Sequence, residues 1–176
     1  MDAIASQHQH EDAGDFAALL QRHRGIVYKV AGMYARGAED REDLAQDIAA
    51  ALWRAWPRYD PARSFSTWMY RVALNTGISH LRGDGRRRSH VVPLDEALHD
   101  VAAASDDHEY DQHLRLLRGV MATLAPLDRA LLLLYLEDRS AREIGDVLGI
   151  SPSNVTTRIG RLKQRIRDHV APSPHA

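Results

Sequence analysis

The chain has 176 residues, 44% of them hydrophobic and none of them cysteine, which is enough for one ordinary domain or two small ones and excludes a disulfide framework, a thiolate metal site and a thiol nucleophile. The start MDAIASQHQHEDAGDF lacks the basic-then-apolar order of a secretory signal, and the longest apolar run, Ala130 to Leu136, falls far short of the roughly 18 to 20 residues of a spanning helix; a cytoplasmic protein with no membrane insertion is expected. The net charge of −1 conceals a sorted distribution: 6 basic and 1 acidic side chains over residues 61–90, none and 7 over 91–112, and 6 and 3 over 141–176, with arginine supplying 21 of the 23 positive charges.

Apolar residues recur at three and four positions, alternating Val/Ile/Thr runs are missing, and Gly and Pro punctuate the periodic stretches, so the fold class is all-α. Residues 1–14 read as a disordered tail. A first helix is expected from Asp15 to about Arg36, with Phe16, Leu19, Leu20, Ile26, Val27, Val30 and Met33 inward. A second begins near Glu39 and stops at Pro57, which cannot continue a helix. At 100° per residue Leu44, Ile48, Ala51, Leu52 and Ala55 share one of its faces, while Glu39, Asp43, Gln46 and Asp47 share another. An acidic stripe repels nucleic acid and therefore suits a basic protein surface or a metal ion.

After the loop Pro57 to Arg63, Ser64 is a natural N-cap for a helix through Leu81, ended by Gly83 and Gly85. Its residues Phe65, Trp68, Met69, Tyr70, Arg71 and Asn75 precede Arg82, Arg86, Arg87 and Arg88. Aromatic side chains beside arginines suit unstacked bases, with core packing claiming Val72, Leu74, Ile78, Leu81 and part of Trp68. These helices form a first domain over 15–88. Residues 89–108 are acidic and alanine-rich and read as a flexible linker, with a short helical stretch near Leu94 to Leu98.

A second domain over 109–170 starts with a helix carrying Leu114, Leu117, Val120, Met121 and Leu124. It breaks at Ala125-Pro126, resumes to Leu136 and ends in two short helices, with 171–176 as a tail. From Ser140 the pattern is helix, sharp turn, helix: Ser140 and Glu143 form a capping box, Gly149 is a stop, Ser151 caps the next helix and Pro152 takes its first position. In such a helix-turn-helix Ser153, Asn154, Thr156, Thr157 and Arg158 would face DNA while Val155, Ile159 and Leu162 hold the helix down. Arg158, Arg161, Lys163, Arg165 and Arg167 occupy an acid-free stretch between Asp146 and Asp168, suited to phosphate. The rival is an ordinary αα-hairpin with a solvated basic face; capping, turn and charge together favour DNA. Gly160 inside the second helix costs about 1 kcal/mol relative to Ala, and close packing is the account the sequence offers.

Both domains resemble the extracytoplasmic-function type of bacterial RNA polymerase sigma factor, over nearly the whole chain. Glu42 to Ile48, Leu52 to Trp56, Pro57 to Asp60, Phe65 to Asn75 and His80 to Arg82 look like its sigma-2 domain; the stretch from Leu124 through Glu137 to Arg167 looks like its sigma-4 domain. The resemblance implies a promoter-specificity subunit with no chemistry and no cofactor of its own. Asp43, Gln46 and Asp47 would dock on the coiled-coil clamp of the polymerase's largest subunit. The loop Pro57 to Ser64 and the helix after it, through Arg63, Phe65, Trp68, Arg71, Asn75, Arg82 and Arg86, would open and read the −10 element. The helix from Pro152, through Ser153, Asn154, Thr156, Thr157, Arg158 and Arg161, would read the −35 element. Core polymerase and promoter DNA are the implied partners, with an anti-sigma factor as a further one. Two departures stand out: Thr156 replaces a frequent lysine, and Asp138-Arg139 replaces a common Gly-hydrophobic pair.

Two rivals remain in view. An all-α, Mg²⁺-dependent nucleotide pyrophosphohydrolase could begin its site with Glu39, Glu42, Asp43 and Asp47, but residues 61–90 contain only Asp84 and the second acidic helix is missing. A stand-alone helix-turn-helix regulator would bind duplex DNA without polymerase. His8 and His10 sit in a polar tail and His23, His80, His113 and His169 are scattered, so no metal is expected.

Overall fold

The structure is a computed structural model that describes residues 14–87, 119–121 and 123–170. The chain divides into two compact units, Met1–Arg86 and Arg87–Ala176, and the described residues are helical with no strand among them. The expected N-terminal tail up to residue 13, the linker over 89–108, the helix around Leu114 and Leu117 and the tail over 171–176 lie outside the described residues.

The N-terminal unit contains α1 over residues 14–22, α2 over Arg24–Tyr34, α3 over Ala38–Ala55, a 3-10 turn over Trp56–Arg58 and α4 over Phe65–Arg87. The single first helix expected from Asp15 to Arg36 is therefore two. His23 breaks it at φ −107 and ψ 12, and its carbonyl accepts the Ile26 N–H at 2.9 Å, a three-residue step where a continuous helix would use four. Gly25, a poor helix former, adjoins the break, and the His23 ring rests 5.3 Å from that of Phe65 on α4. Phe16, Ile26, Val27 and Val30 are buried as expected, joined by Ala31 and Tyr34, whereas Leu19, Leu20 and Met33 are half-buried.

Helix α3 packs on α2 and buries Leu44, Ile48 and Leu52, with Ala51 and Ala55 half-buried. It gives way to the 3-10 turn holding Pro57. Beyond the turn, Tyr59 stacks on Trp56 at 5.2 Å and donates its hydroxyl to the Arg63 carbonyl at 2.8 Å, while Asp60 Oδ1 accepts the Ala62 N–H at 3.0 Å. Ser64 stands at the start of α4, its carbonyl accepting the Trp68 N–H at 3.1 Å. Contrary to the expected stop, α4 passes through Gly83 and Gly85 to Arg87, because a glycine weakens a helix interior but ends it only where the backbone turns to positive φ. Another glycine matters more: a Cβ on Gly77 would stand 2.7 Å from Cδ2 of the buried Tyr34 ring, so α4 crosses α2 in direct contact. His80 Nε2 and Asp40 Oδ1, 2.8 Å apart, tie α4 to the start of α3.

In the C-terminal unit helical residues 119–121 and 123 precede Leu124, followed by α5 over Pro126–Leu136, α6 over Ala141–Leu148 and α7 over Pro152–Val170. Of the two helices expected to be short, only α6 is; α7 has 19 residues. Helix α5 buries Ala130 through Leu134 and ends in a Schellman-type turn, with the Arg139 N–H on the Leu134 carbonyl and the Asp138 N–H on that of Tyr135, both at 3.1 Å. Asp138 sits there at φ 53, in the left-handed region that glycine enters without cost and that Asp tolerates better than most residues.

The helix-turn-helix forms as its local signals require. The Ser140 and Glu143 capping box is complete, and Gly149 ends α6 at φ 71. Gly145, which the sequence did not flag, is the tight point: its carbonyl accepts the N–H groups of Gly149 and Ile150, and a Cβ there would lie 2.6 Å from the Ile150 carbonyl oxygen. Gly160, by contrast, is exposed and a Cβ on it would meet nothing within 4 Å, so close packing does not explain it. Gly145→Ala is therefore expected to destabilise the C-terminal unit by about 1–3 kcal/mol through overpacking against backbone, and Gly160→Ala to stabilise it by about 0.5–1 kcal/mol. Denaturant unfolding followed by circular dichroism reads both signs.

Candidate functional site

Three exposed faces carry the chemistry, and each is the back of a helix whose front is core. On α3, Glu39, Asp43, Gln46 and Asp47 are exposed opposite Leu44, Ile48 and Leu52. The side chains of Asp43, Gln46 and Asp47 make no hydrogen bond or ion pair among the described residues. Trp53, seven residues beyond Gln46 and 52% exposed, continues this face while its ring packs edge-on against that of Phe16, centroids 5.2 Å apart. Sequence reasoning passed over Trp53 as a candidate, although its two-turn spacing from Gln46 was the available signal.

On α4, Arg71, Asn75 and Arg82 recur at four and seven residues and are exposed, with Trp68 half-buried at the head of the stripe. Arg86 lies four residues beyond Arg82 in the same helix. Asn75 and Asp47 line one open groove of about 440 Å³, together with Arg54, Thr76, Ser79 and His80, so the acidic and the base-facing candidates adjoin. Phe65 departs from the expectation. It is buried at 8% exposure among the rings of His23, Trp56, Tyr59 and Trp68, with centroids 5.3 to 6.3 Å away, and so braces the loop from beneath. Arg63 is exposed and lies 3.7 Å from Asp60.

On α7, Ser153, Asn154, Thr156, Thr157 and Arg161 are exposed, with Val155 and Leu162 buried beneath and Ile159 half-buried. Ser151 Oγ caps the helix by accepting the Asn154 N–H at 3.3 Å. The Thr156 and Thr157 hydroxyls donate to the carbonyls of Pro152 and Ser153 at 3.1 and 3.0 Å, which leaves their oxygens free to accept from a base edge. Arg158 differs from its neighbours: it is half-buried, with Nη1 3.4 Å from Asp128 Oδ1 on α5. Sequence reasoning placed it with the outward group because its partner is thirty residues away.

The Sigma-70 region 2 family model matches residues 19–87, and the Sigma-70 region 4 model matches residues 114–166. The chain is 31% identical over 159 residues to the ECF RNA polymerase sigma factor SigE of Mycolicibacterium smegmatis, covering 87% of this chain but 60% of SigE. It is 29% identical over 167 residues to the ECF RNA polymerase sigma factor RpoE of Cereibacter sphaeroides, covering 92% and 90%. The chain belongs to the extracytoplasmic-function RNA polymerase sigma factors. Solved structures share its fold: CnrH in complex with the cytosolic domain of CnrY, at TM-score 0.66 and 22% identity over 96% of this chain and 95% of that one, and the sigma factor RpoE in complex with the anti-sigma factor NepR from Bartonella quintana, at 0.70 and 19% over 90% and 99%. Region 2 thus falls in the N-terminal unit of this sigma factor and region 4 in its C-terminal unit. Sigma factors of this kind bind core RNA polymerase and direct transcription initiation at promoters. No described helix is long and apolar enough to cross a membrane.

One titration is built into the region 4 turn. The Ser140 hydroxyl and then its backbone N–H, at 2.7 and 2.9 Å, hold the Glu143 carboxyl below its ordinary pKa, with Arg139 at 3.3 Å adding to them and burial opposing. A carboxyl depressed in the folded state stabilises above its unfolded pKa, and that contribution fades as pH falls through the folded one. Glu143→Gln keeps a capping-box acceptor and removes the titration. Wild type is expected to be more stable than the variant at neutral pH, with the gap narrowing as pH drops below about 4.3; urea unfolding at a series of pH values measures it.

Proposed function

We propose that this sigma factor divides promoter recognition among its three faces, with Asp43, Gln46 and Asp47 docking on the basic coiled-coil clamp of core polymerase. Arg63, Trp68, Arg71, Asn75, Arg82 and Arg86 meet the opened −10 element, with Phe65 as the buried brace of the loop that presents them. Ser153, Asn154, Thr156, Thr157 and Arg161 meet the −35 element, with Arg158 beside them but paired to Asp128. The observation that carries this reading is the segregation of the exposed faces: acid on α3, arginine with asparagine on α4, hydroxyl and amide with arginine on α7. The domains span 15–88 and 109–170, with 89–108 as an acidic tether. The chain supplies no catalytic group and no cofactor, and it works in the cytoplasm, where polymerase does. An anti-sigma factor is a further partner in this reading, supported by the complex in which the RpoE relative from Bartonella quintana is bound to one.

Asp43→Arg with Asp47→Arg is expected to abolish association with core polymerase while leaving helix content unchanged, since both side chains are exposed. Co-purification with core enzyme, with circular dichroism as control, reads the two properties; normal polymerase binding by the double variant would remove the docking role. The DNA-facing elements separate by step. Arg161→Ala should weaken holoenzyme binding to every duplex and lower the salt slope by about 1, whereas Asn75→Ala should reduce promoter opening while the closed complex still forms. Permanganate footprinting of unpaired thymines, with a gel-shift control for the closed complex, distinguishes these outcomes from their reverse.

A further inference from the structure

Asp128 occupies the first turn of α5. Its side chain is 22% exposed and receives two arginines of α7, Arg158 Nη1 at 3.4 Å on Oδ1 and Arg165 Nη1 at 3.6 Å on Oδ2. Seven residues apart, those arginines lie on one flank of the helix, with Arg161 between them and turned further outward. Arg161 is exposed and makes no ion pair among the described residues. On the opposite flank, Lys163 Nζ rests 4.3 Å over the Tyr135 ring. The cations of α7 are thus unequal: Arg161 is available to a phosphate, while Arg158 and Arg165 share a carboxylate that competes for the same guanidinium groups.

Cation-to-phosphate contacts raise the affinity for all duplexes alike, because each releases counterions regardless of sequence, whereas hydrogen bonds to base edges separate one sequence from another. We propose that Asp128 is a positioning residue for −35 recognition, holding Arg158 and Arg165 against α5 so that fewer arginines of α7 reach the phosphates and discrimination rests more on the outward side chains of that helix. The inference rests on the assignment of α7 to the −35 element. It explains why a carboxylate sits beside a helix that binds a polyanion.

The test uses holoenzyme reconstituted with the full-length chain and follows fluorescence anisotropy of two duplexes, one carrying the −35 element and one scrambled, over a range of salt. Asp128→Asn should tighten binding to the scrambled duplex about tenfold at low salt, steepen the salt slope by about 1 to 2, and lower the promoter-to-scrambled ratio. Asp128→Glu, which keeps the carboxylate, should retain the wild-type slope, a rescue that a purely structural role would not predict. Arg165→Gln in the otherwise unchanged chain should leave the slope unaltered, and it carries the test even if Asp128→Asn fails to fold. A folded Asp128→Asn with wild-type slope and ratio would overturn the proposal, and so would a slope lowered by about 1 in Arg165→Gln alone. Failure of the underlying assignment has its own signature. The wild type would then bind both duplexes alike and Arg161→Ala would leave the slope unchanged, overturning the proposal together with the reading beneath it.

Discussion

The ring of Tyr34 fills the space where Gly77 has no side chain, and the layout of the N-terminal unit follows from that contact. Tyr34 is buried at 1% exposure and cannot swing away, so α4 is held against α2 along a line that only glycine permits. Once it is seated there, Met69, Tyr70, Ala73 and Leu74 turn inward, and helical geometry sends Arg71, Asn75 and Arg82 outward. The His80 to Asp40 hydrogen bond, one turn further along, fixes α4 against α3 as well. Asp40 also accepts the Arg36 backbone N–H at 2.8 Å through its other oxygen, so the same carboxylate orders the α2–α3 turn and locates α4. The shared groove of Asp47 and Asn75 results from these two anchors.

Region 4 rests on a comparably close approach, there of backbone to backbone. Gly145 lets the turn fold back until the Ile150 carbonyl lies against its Cα, and its own carbonyl gathers the N–H groups of Gly149 and Ile150. Those bonds set the angle at which α7 leaves α6, while Val155 and Leu162 press α7 onto the unit's core. Arg158 is turned aside by Asp128 on α5, so α7 is oriented by apolar contacts and presents mainly neutral polar groups in its first two turns.

What could be read from the sequence was whatever a helix end writes locally. The Ser140 and Glu143 box, the Gly149 stop and the Ser151 cap all formed because each involves residues within four positions of one another. The apolar stripe Leu44, Ile48 and Leu52 was legible for the same reason. Glycine was the residue type that misled. Gly83 and Gly85 suggested an end where the helix continues, Gly160 suggested packing where there is open space, and Gly77 and Gly145 drew no attention although each removes a collision under 3 Å. A glycine's purpose depends on what lies opposite it, and at Gly77 that is Tyr34, 43 positions away in the chain. Phe65 and Arg158 were assigned to DNA on residue type for a related reason, since their tertiary partners, the Trp56 and Tyr59 rings and the Asp128 carboxylate, carry no local mark.

The adjacency of opposite surfaces bears on how the proposed roles cooperate. Asp47 and Asn75 line one groove of about 440 Å³, and charges nearer than the Debye length of about 8–10 Å at physiological salt are not fully screened, so in the proposed roles a DNA strand at Asn75 feels the charge of Asp47. In the free protein that charge opposes the strand. When a basic clamp covers Asp43 and Asp47, the opposition is neutralised, and the clamp's own positive potential adds to that of Arg71 and Arg82. Core docking and −10 binding are then linked with favourable coupling, and by reciprocity a bound −10 strand strengthens core docking. The coupling needs no movement within the unit, because the Tyr34 to Gly77 contact and the His80 to Asp40 bond already hold the acid and the asparagine on one groove. In the proposed roles, the carboxylates that recruit polymerase also oppose promoter single strands until polymerase is present.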